Sequence, residues 1–173
     1  MNIEKLYWKT LYYWIRYLNY DVISRDKDDA EIWLVHKRKQ SVVIFRKDVS
    51  TTQEVRFDKS RILDHQDDLA QKIAFKPSSY NFYYFTDREF SEEKISENDP
   101  IKLNFFIIKN EEDIKQITPN FVIHKMLINN NDKKTYSHYR RKVLTNNPLD
   151  KHMHRFTPAT YLLIIINVVI WLC

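Results

Sequence analysis

Along residues 3–19 the apolar side chains Ile3, Tyr7, Leu11, Trp14 and Leu18 recur at intervals of four, four, three and four. That spacing is one face of a 3.6-residue period and predicts a helix, with Glu4, Lys5, Lys9 and Arg16 on its polar face. Trp8, Tyr12, Tyr13 and Tyr17 add more aromatic surface than one stripe can bury, so part of it is expected to meet a second element or a partner. Three β-type runs follow, at Val22-Ile23, residues 31–35 and residues 41–45. Asp26-Lys27-Asp28-Asp29 reads as a turn, and His36-Lys37-Arg38-Lys39-Gln40 as a hairpin connection of open turn type, since it lacks Asn-Gly or Asp-Gly.

Residues 52–75 carry a second helical stripe of Val55, Ile62, Leu69 and Ile73, with Ser50 or Thr51 as cap and Glu54 just inside. Lys76-Pro77-Ser78-Ser79 ends it. Residues 81–85 form a strand by aromatic content, 86–99 an acidic loop, and 103–108 another buried strand. A short helix fits 111–117, residues 121–128 are ambiguous between strand and helix, and 133–144 predict a basic helix. The order predicts an α/β fold, an αβββαβ-type mixed-sheet sandwich over residues 1–145. A basic juxtamembrane linker, 146–158, and a truncated transmembrane helix, 159–173, are expected to follow it.

Residues 161–173 hold one polar side chain, Asn167. A membrane-spanning helix needs about 20 apolar residues to cross roughly 30 Å of hydrocarbon, and thirteen reach only about 20 Å. The run is therefore expected to be the start of a first span that continues beyond Cys173. Its flank holds Lys133, Lys134, Arg140, Arg141, Lys142, Lys151 and Arg155 against Asp150, which places the N-terminal domain in the cytoplasm and the span in the cell (inner) membrane. Tyr161 and Trp171 suit the interface. The competing reading is a buried C-terminal helix of a soluble domain.

The chain contains no glycine, where average usage of roughly 7% predicts about twelve. Walker-type phosphate loops, GxGxxG dinucleotide turns and GxSxG nucleophile elbows are excluded, because each needs a backbone that only glycine allows. The single cysteine, Cys173, permits no internal disulfide and no Cys-based zinc site. A net charge of +5 is compatible with anionic lipid or nucleic acid and selects neither.

The αβββαβ order resembles the core of PD-(D/E)XK nucleases, whose chemistry needs an acid two residues before a strand lysine. The third strand reads Val42-Val43-Ile44-Phe45-Arg46-Lys47 and has no such acid. Glu92-Glu93-Lys94 and Asp113-Ile114-Lys115 match the spacing but fall in a loop and a helix. A nuclease-like fold without an intact active site is thus one reading, and no nucleic-acid partner is expected. For a divalent cation, Asp48 and Asp58 are the candidate oxygen ligands, with Lys47 and Ser50 where further ligands would help. His152 and His154 are two ligands short of a zinc site and sit in basic surroundings. His36, His65, His124 and His138 have no partner at telling spacing.

The chain resembles the cytosolic N-terminal domain of bacterial rhomboid-family intramembrane serine proteases. Tyr7-Trp8-Lys9, Tyr20-Asp21-Val22-Ile23, Asp29-Ala30-Glu31-Ile32-Trp33-Leu34 and the strand from Val42 to Asp48 with Gln53-Glu54-Val55-Arg56 carry the resemblance. Thr157-Pro158-Ala159-Thr160-Tyr161-Leu162 is similar to the beginning of that family's first transmembrane helix. The resemblance implies a regulatory or substrate-recruiting domain of a serine protease whose membrane-embedded Ser and His belong to a catalytic core missing from this sequence. Its partners would be that core, the lipid bilayer and a membrane-protein substrate. It also implies divalent-cation sensing in some relatives, from whose pattern Lys47 and Ser50 depart. The alternative is a stand-alone, tail-anchored membrane adaptor.

Overall fold

A computed structural model describes residues 2–49, 51–88, 102–118, 121–129 and 131–145. The elements run α1 (Ile3–Tyr17), β1 (Asp21–Arg25), β2 (Glu31–His36), β3 (Ser41–Lys47), α2 (Thr52–Ile73), β4 (Ser79–Phe85), β5 (Lys102–Ile108), α3 (Ile114–Ile117), α4 (Phe121–Leu127) and α5 (Tyr136–Leu144). A 3₁₀ turn, Lys37–Lys39, joins β2 to β3. The mixed α/β architecture is as expected, and the ambiguous stretch after residue 120 is helical.

The five strands lie in the order β1-β2-β3-β4-β5. β1, β2 and β3 are antiparallel neighbours, whereas β3, β4 and β5 run parallel. The switch follows from connection length. The three-residue turn returns β2 alongside itself as β3, but the 22-residue α2 carries the chain back across one face before β4 begins.

Side chains alternate between the two faces with period 2. One registered row, Ile32–Phe45–Tyr83–Phe106, packs under α1, α3, α4 and α5. The next row, Trp33–Ile44–Phe82–Phe105, belongs to the cluster completed by Ile62 and Ile73 of α2. Phe82 and Phe105 stack at 4.9 Å between ring centres, and Phe45 and Tyr83 meet edge to face at 5.2 Å. The molecule is a three-layer α/β/α sandwich with a core on each face of the sheet.

α1 departs from the single-stripe expectation. Leu6 through Leu11, Trp14 and Ile15 are all buried, Lys9 and Thr10 included. The sheet covers one side of the helix, and α5 with α4 covers the other. The aromatic excess therefore meets a second element: Tyr12 packs against Tyr139 of α5 at 5.6 Å. The same cover corrects the assignment of Lys9 to the polar face.

α2 opens on a capping box in which the Thr51 hydroxyl accepts from the Glu54 N–H and the Glu54 carboxylate accepts from the Thr51 N–H. Of the two residues expected as cap, Thr51 fills the role. Without glycine, the left-handed turns fall to Asn19, Asp29, Gln40, Asp48 and Ala74. Asn and Asp tolerate that region, but Ala74, at φ 63° on the C-cap of α2, does so at a cost of about 1 kcal/mol. Ala74→Gly should therefore stabilise the protein by roughly 0.5–1 kcal/mol, read as a higher urea midpoint with unchanged slope.

Candidate functional site

At the carboxyl end of β3 the apolar strand ends in two cations, Arg46 and Lys47. Successive strand residues point to opposite faces, so each cation enters a different layer. Lys47 joins the α1 side, where its ammonium lies 3.0 Å from the Glu4 carboxylate and above the rings of Tyr7 and Trp8. Glu4 also accepts from the Trp8 indole at 3.0 Å.

Arg46 turns toward α2. It is registered between Glu31 on β2 and Tyr84 on β4, and α2 lays Glu54, Asp58 and Arg61 over that row. Arg46 donates to Asp58 at 2.6 Å, Arg61 donates to Asp58 at 3.0 Å and to Glu31 at 2.9 Å, and the Tyr84 hydroxyl donates to Asp58 at 2.9 Å. Glu54 reaches Arg46 at 3.5 Å. The Asp58 side chain is fully buried. Burial pushes its carboxyl up, and Arg46, Arg61 and Tyr84 pull it back only in part. Burial opposes the charge of Arg46, but Asp58, Glu31 and Glu54 together hold its pKa above the ordinary value. Tyr84 is raised by burial and then by Asp58, so it stays a donor at any physiological pH.

A second charged cluster joins α1 to the segment before α5. The Lys9 ammonium lies 3.2 Å from Asp132, Lys5 donates to the Asp132 carbonyl at 2.7 Å, and the Tyr139 hydroxyl donates to the Asp132 carboxylate at 2.5 Å. Burial pushes the Lys9 ammonium below its ordinary value, and Asp132 offsets this only in part. Burial also opposes the charge of Asp132. The Tyr139 hydroxyl, the Lys134 N–H and Lys9 outweigh that and lower its carboxyl to about 2 from an ordinary 3.8. Nearby, Asp29 of the expected β1–β2 turn is buried, pairs with Arg140 at 2.6 Å, and accepts from Tyr7 through its carbonyl.

The candidate ligands separate chemically. Asp58 is enclosed by two guanidinium groups, whose field opposes a cation, and Asp48 is an exposed residue at φ 62° just after β3. Lys47 is engaged by Glu4. Ser50, Glu92-Glu93-Lys94, His152 and His154 lie outside the described residues, as do the linker and the apolar run. Among the described residues no group of three or more His, Cys, Asp or Glu side chains is placed to hold a metal ion. Two residues before Lys47, where a nuclease would carry its acid, Phe45 is buried against Tyr7, Trp14 and Tyr83. Asp113 caps the turn into α3 by accepting from the N–H groups of Lys109 and Asn110. His36 caps the 3₁₀ turn by accepting from the Lys39 N–H, and His65 is exposed. No protein-family model matches the chain, and no curated protein matches it.

Arg61, Glu31 and Tyr84 escaped the sequence reading because their charges and hydroxyl come from three separate elements. The visible signal was Arg46 at the end of an otherwise apolar strand, which demands a buried acid on whichever element crosses it.

Removing Asp58 leaves Arg46, Arg61 and Tyr84 facing one another without their shared acceptor. Asp58→Ala should cost about 3 kcal/mol in urea unfolding, whereas Asp48→Asn should change stability by less than about 0.5 kcal/mol. A lowered carboxyl contributes stability above the unfolded pKa and loses it as pH falls toward the folded one. Asp132 should thus account for about 1 kcal/mol of lost stability by pH 3, and Asp132→Asn should flatten the urea midpoint between pH 5 and pH 3 by that amount.

Proposed function

We propose that residues 1–145 form a non-catalytic cytosolic domain that recruits substrate to, or regulates, an adjoining rhomboid-type intramembrane protease, tethered through the apolar run that begins near Tyr161. The observation that carries this reading is the internal use of the charged groups at the end of β3. Glu31, Asp58 and Glu54 are turned onto Arg46 and Arg61, and Glu4 onto Lys47, so the side chains that would bind or activate a substrate there bind each other. A site of this kind sets the position of two helical layers and leaves recognition to the outer surface. The resemblance of residues 7–56 and 157–162 supports the family part of this reading, and the apolar run from 161 to 173 supports the tether. No helix among the described residues is long and apolar enough to cross a membrane.

The test is made on the natural gene product, detected in cells with an antibody to the 1–145 domain. A product well above 21.2 kDa that resists alkaline carbonate extraction, and whose downstream sequence holds GxSxG and a later His, is the expected result. Deleting residues 157–173 and everything after should make the remainder extractable. A carbonate-resistant product of 21.2 kDa would replace the protease partner with a stand-alone adaptor. A full-length product released by carbonate would overturn the tether.

A further inference from the structure

Seven large apolar side chains are exposed among the described residues, and four of them, Phe121, Val122, Met126 and Tyr136, fall within α4 and the first turn of α5. Phe121 and Val122 are 68% and 61% exposed, while Ile123 and Leu127 on the other side of α4 are buried against the α1 core. A seven-residue helix has no need of apolar side chains on both sides. The outer set has no cover among the described residues.

The same segment holds the charge excess of the protein. Residues 121–145 carry Lys125, Lys133, Lys134, Arg140, Arg141 and Lys142 against Asp132 alone, an excess equal to the +5 of the whole chain. Asp132 is turned inward onto Lys9, whereas all six cations are exposed. Lys125 lies 4.7 Å above the Phe121 ring, so cation and aromatic ring share one spot. His138 has its pKa lowered by burial and then by the charges of Lys134, Arg141 and Lys142. Cations at the end of α5 complement its dipole, but that does not explain Phe121 and Val122 exposed at the start of α4. Exposed apolar side chains in a segment rich in exposed lysine and arginine are the composition of a surface that seats in the headgroup layer of an anionic bilayer.

Position agrees. α5 ends at Leu144, and the apolar run begins sixteen residues after Thr145. Fully extended, sixteen residues span at most about 55 Å. The tether thus joins the domain at the C-terminal end of α5, in the layer that also holds α4, while α2 lies on the opposite face of the sheet. This step rests on the tether proposed above.

We infer that the exposed Phe121, Val122 and Met126 of α4, with Lys125 and the exposed Lys133, Lys134, Arg141 and Lys142 of the same segment, form a docking surface for the anionic lipid bilayer that fixes the orientation of the domain on the membrane.

The experiment uses the full chain with Cys173→Ser, carrying a nitroxide label at either Val122→Cys or Phe57→Cys. Both native side chains are exposed, and Phe57 lies on α2. The protein is reconstituted with phosphatidylcholine vesicles, with or without phosphatidylglycerol. Collision with a water-soluble nickel chelate and with oxygen reports immersion of the label. With phosphatidylglycerol, nickel collisions at position 122 should fall several-fold and oxygen collisions rise, with reversal in high salt. Position 57 should stay in water throughout. Equal water exposure at the two positions on anionic vesicles overturns the docking surface. Flotation separates the two readings. A chain that floats with neutral vesicles but keeps position 122 in water on anionic ones retains the tether and loses the dock. A chain that floats only with anionic vesicles, with position 122 immersed, retains the dock and loses the tether. Flotation with neither overturns both.

Discussion

Two adjacent cations at the end of β3 tie the three layers together. Arg46 and Lys47 differ by one residue, and the pleat sends them to opposite faces of the sheet. Arg46 meets Asp58 and Glu54 of α2, and Lys47 meets Glu4 of α1. A one-residue register slip that put Arg46 in the place of Phe45 would drive the guanidinium among the rings of Tyr7, Trp14 and Tyr83. A slip in the other direction would bring Phe45 to the polar place now held by Arg46 between Glu31 and Tyr84. Burying ions adds little net stability, because desolvation offsets most of the attraction. What the pairing does is make the alternative registers expensive, so one strand end determines where both helices sit.

The α1 side shows the same logic at a larger scale. A helix with aromatic side chains on most of its circumference cannot be satisfied by a sheet alone. α4 and α5 close over its outer side, and Tyr12 against Tyr139 and Lys9 against Asp132 mark the seam. Lys9 is buried there only because Asp132 arrives with it, and Asp132 is in turn held by the Tyr139 hydroxyl. The α5 layer is therefore linked to α1 by one polar chain as well as by apolar area. Arg140 to Asp29 adds a link from α5 to the β1–β2 turn.

Local periodicity made most elements legible in the sequence. The helix over 52–75, the hairpin strands and the parallel strands at 81–85 and 103–108 were all expected, with boundaries shifted by a few residues. The stretch from 121 was ambiguous because Phe121, Val122, Ile123, Met126, Leu127 and Ile128 fit both periods over so short a run; the outward position of Phe121 and Val122 cannot be read from a window of seven. Lys9 was misplaced for a different reason. Helical spacing reports one face, and the second cover over α1 comes from α4 and α5, more than 100 positions along the chain. Asp58 was expected as an oxygen ligand for a divalent cation; its partners Arg46, Arg61 and Tyr84 are joined to it by strand register and helix placement, which spacing along the chain does not encode.

The paired clusters also determine what an external surface can feel. Outside residues 121–145 the chain carries equal numbers of acidic and basic side chains. The two guanidinium groups and three carboxylates at the end of β3 lie within 4 Å of their partners, far inside a screening length of about 8–10 Å, so they leave a single net negative charge to act beyond the fold. Among the cations of α4 and α5, Arg140 pairs with Asp29. The internal pairing at β3 and the directional charge at α5 are thus two sides of one arrangement. Because the first cluster is consumed in holding the layers together, it adds little to the positive excess of residues 121–145.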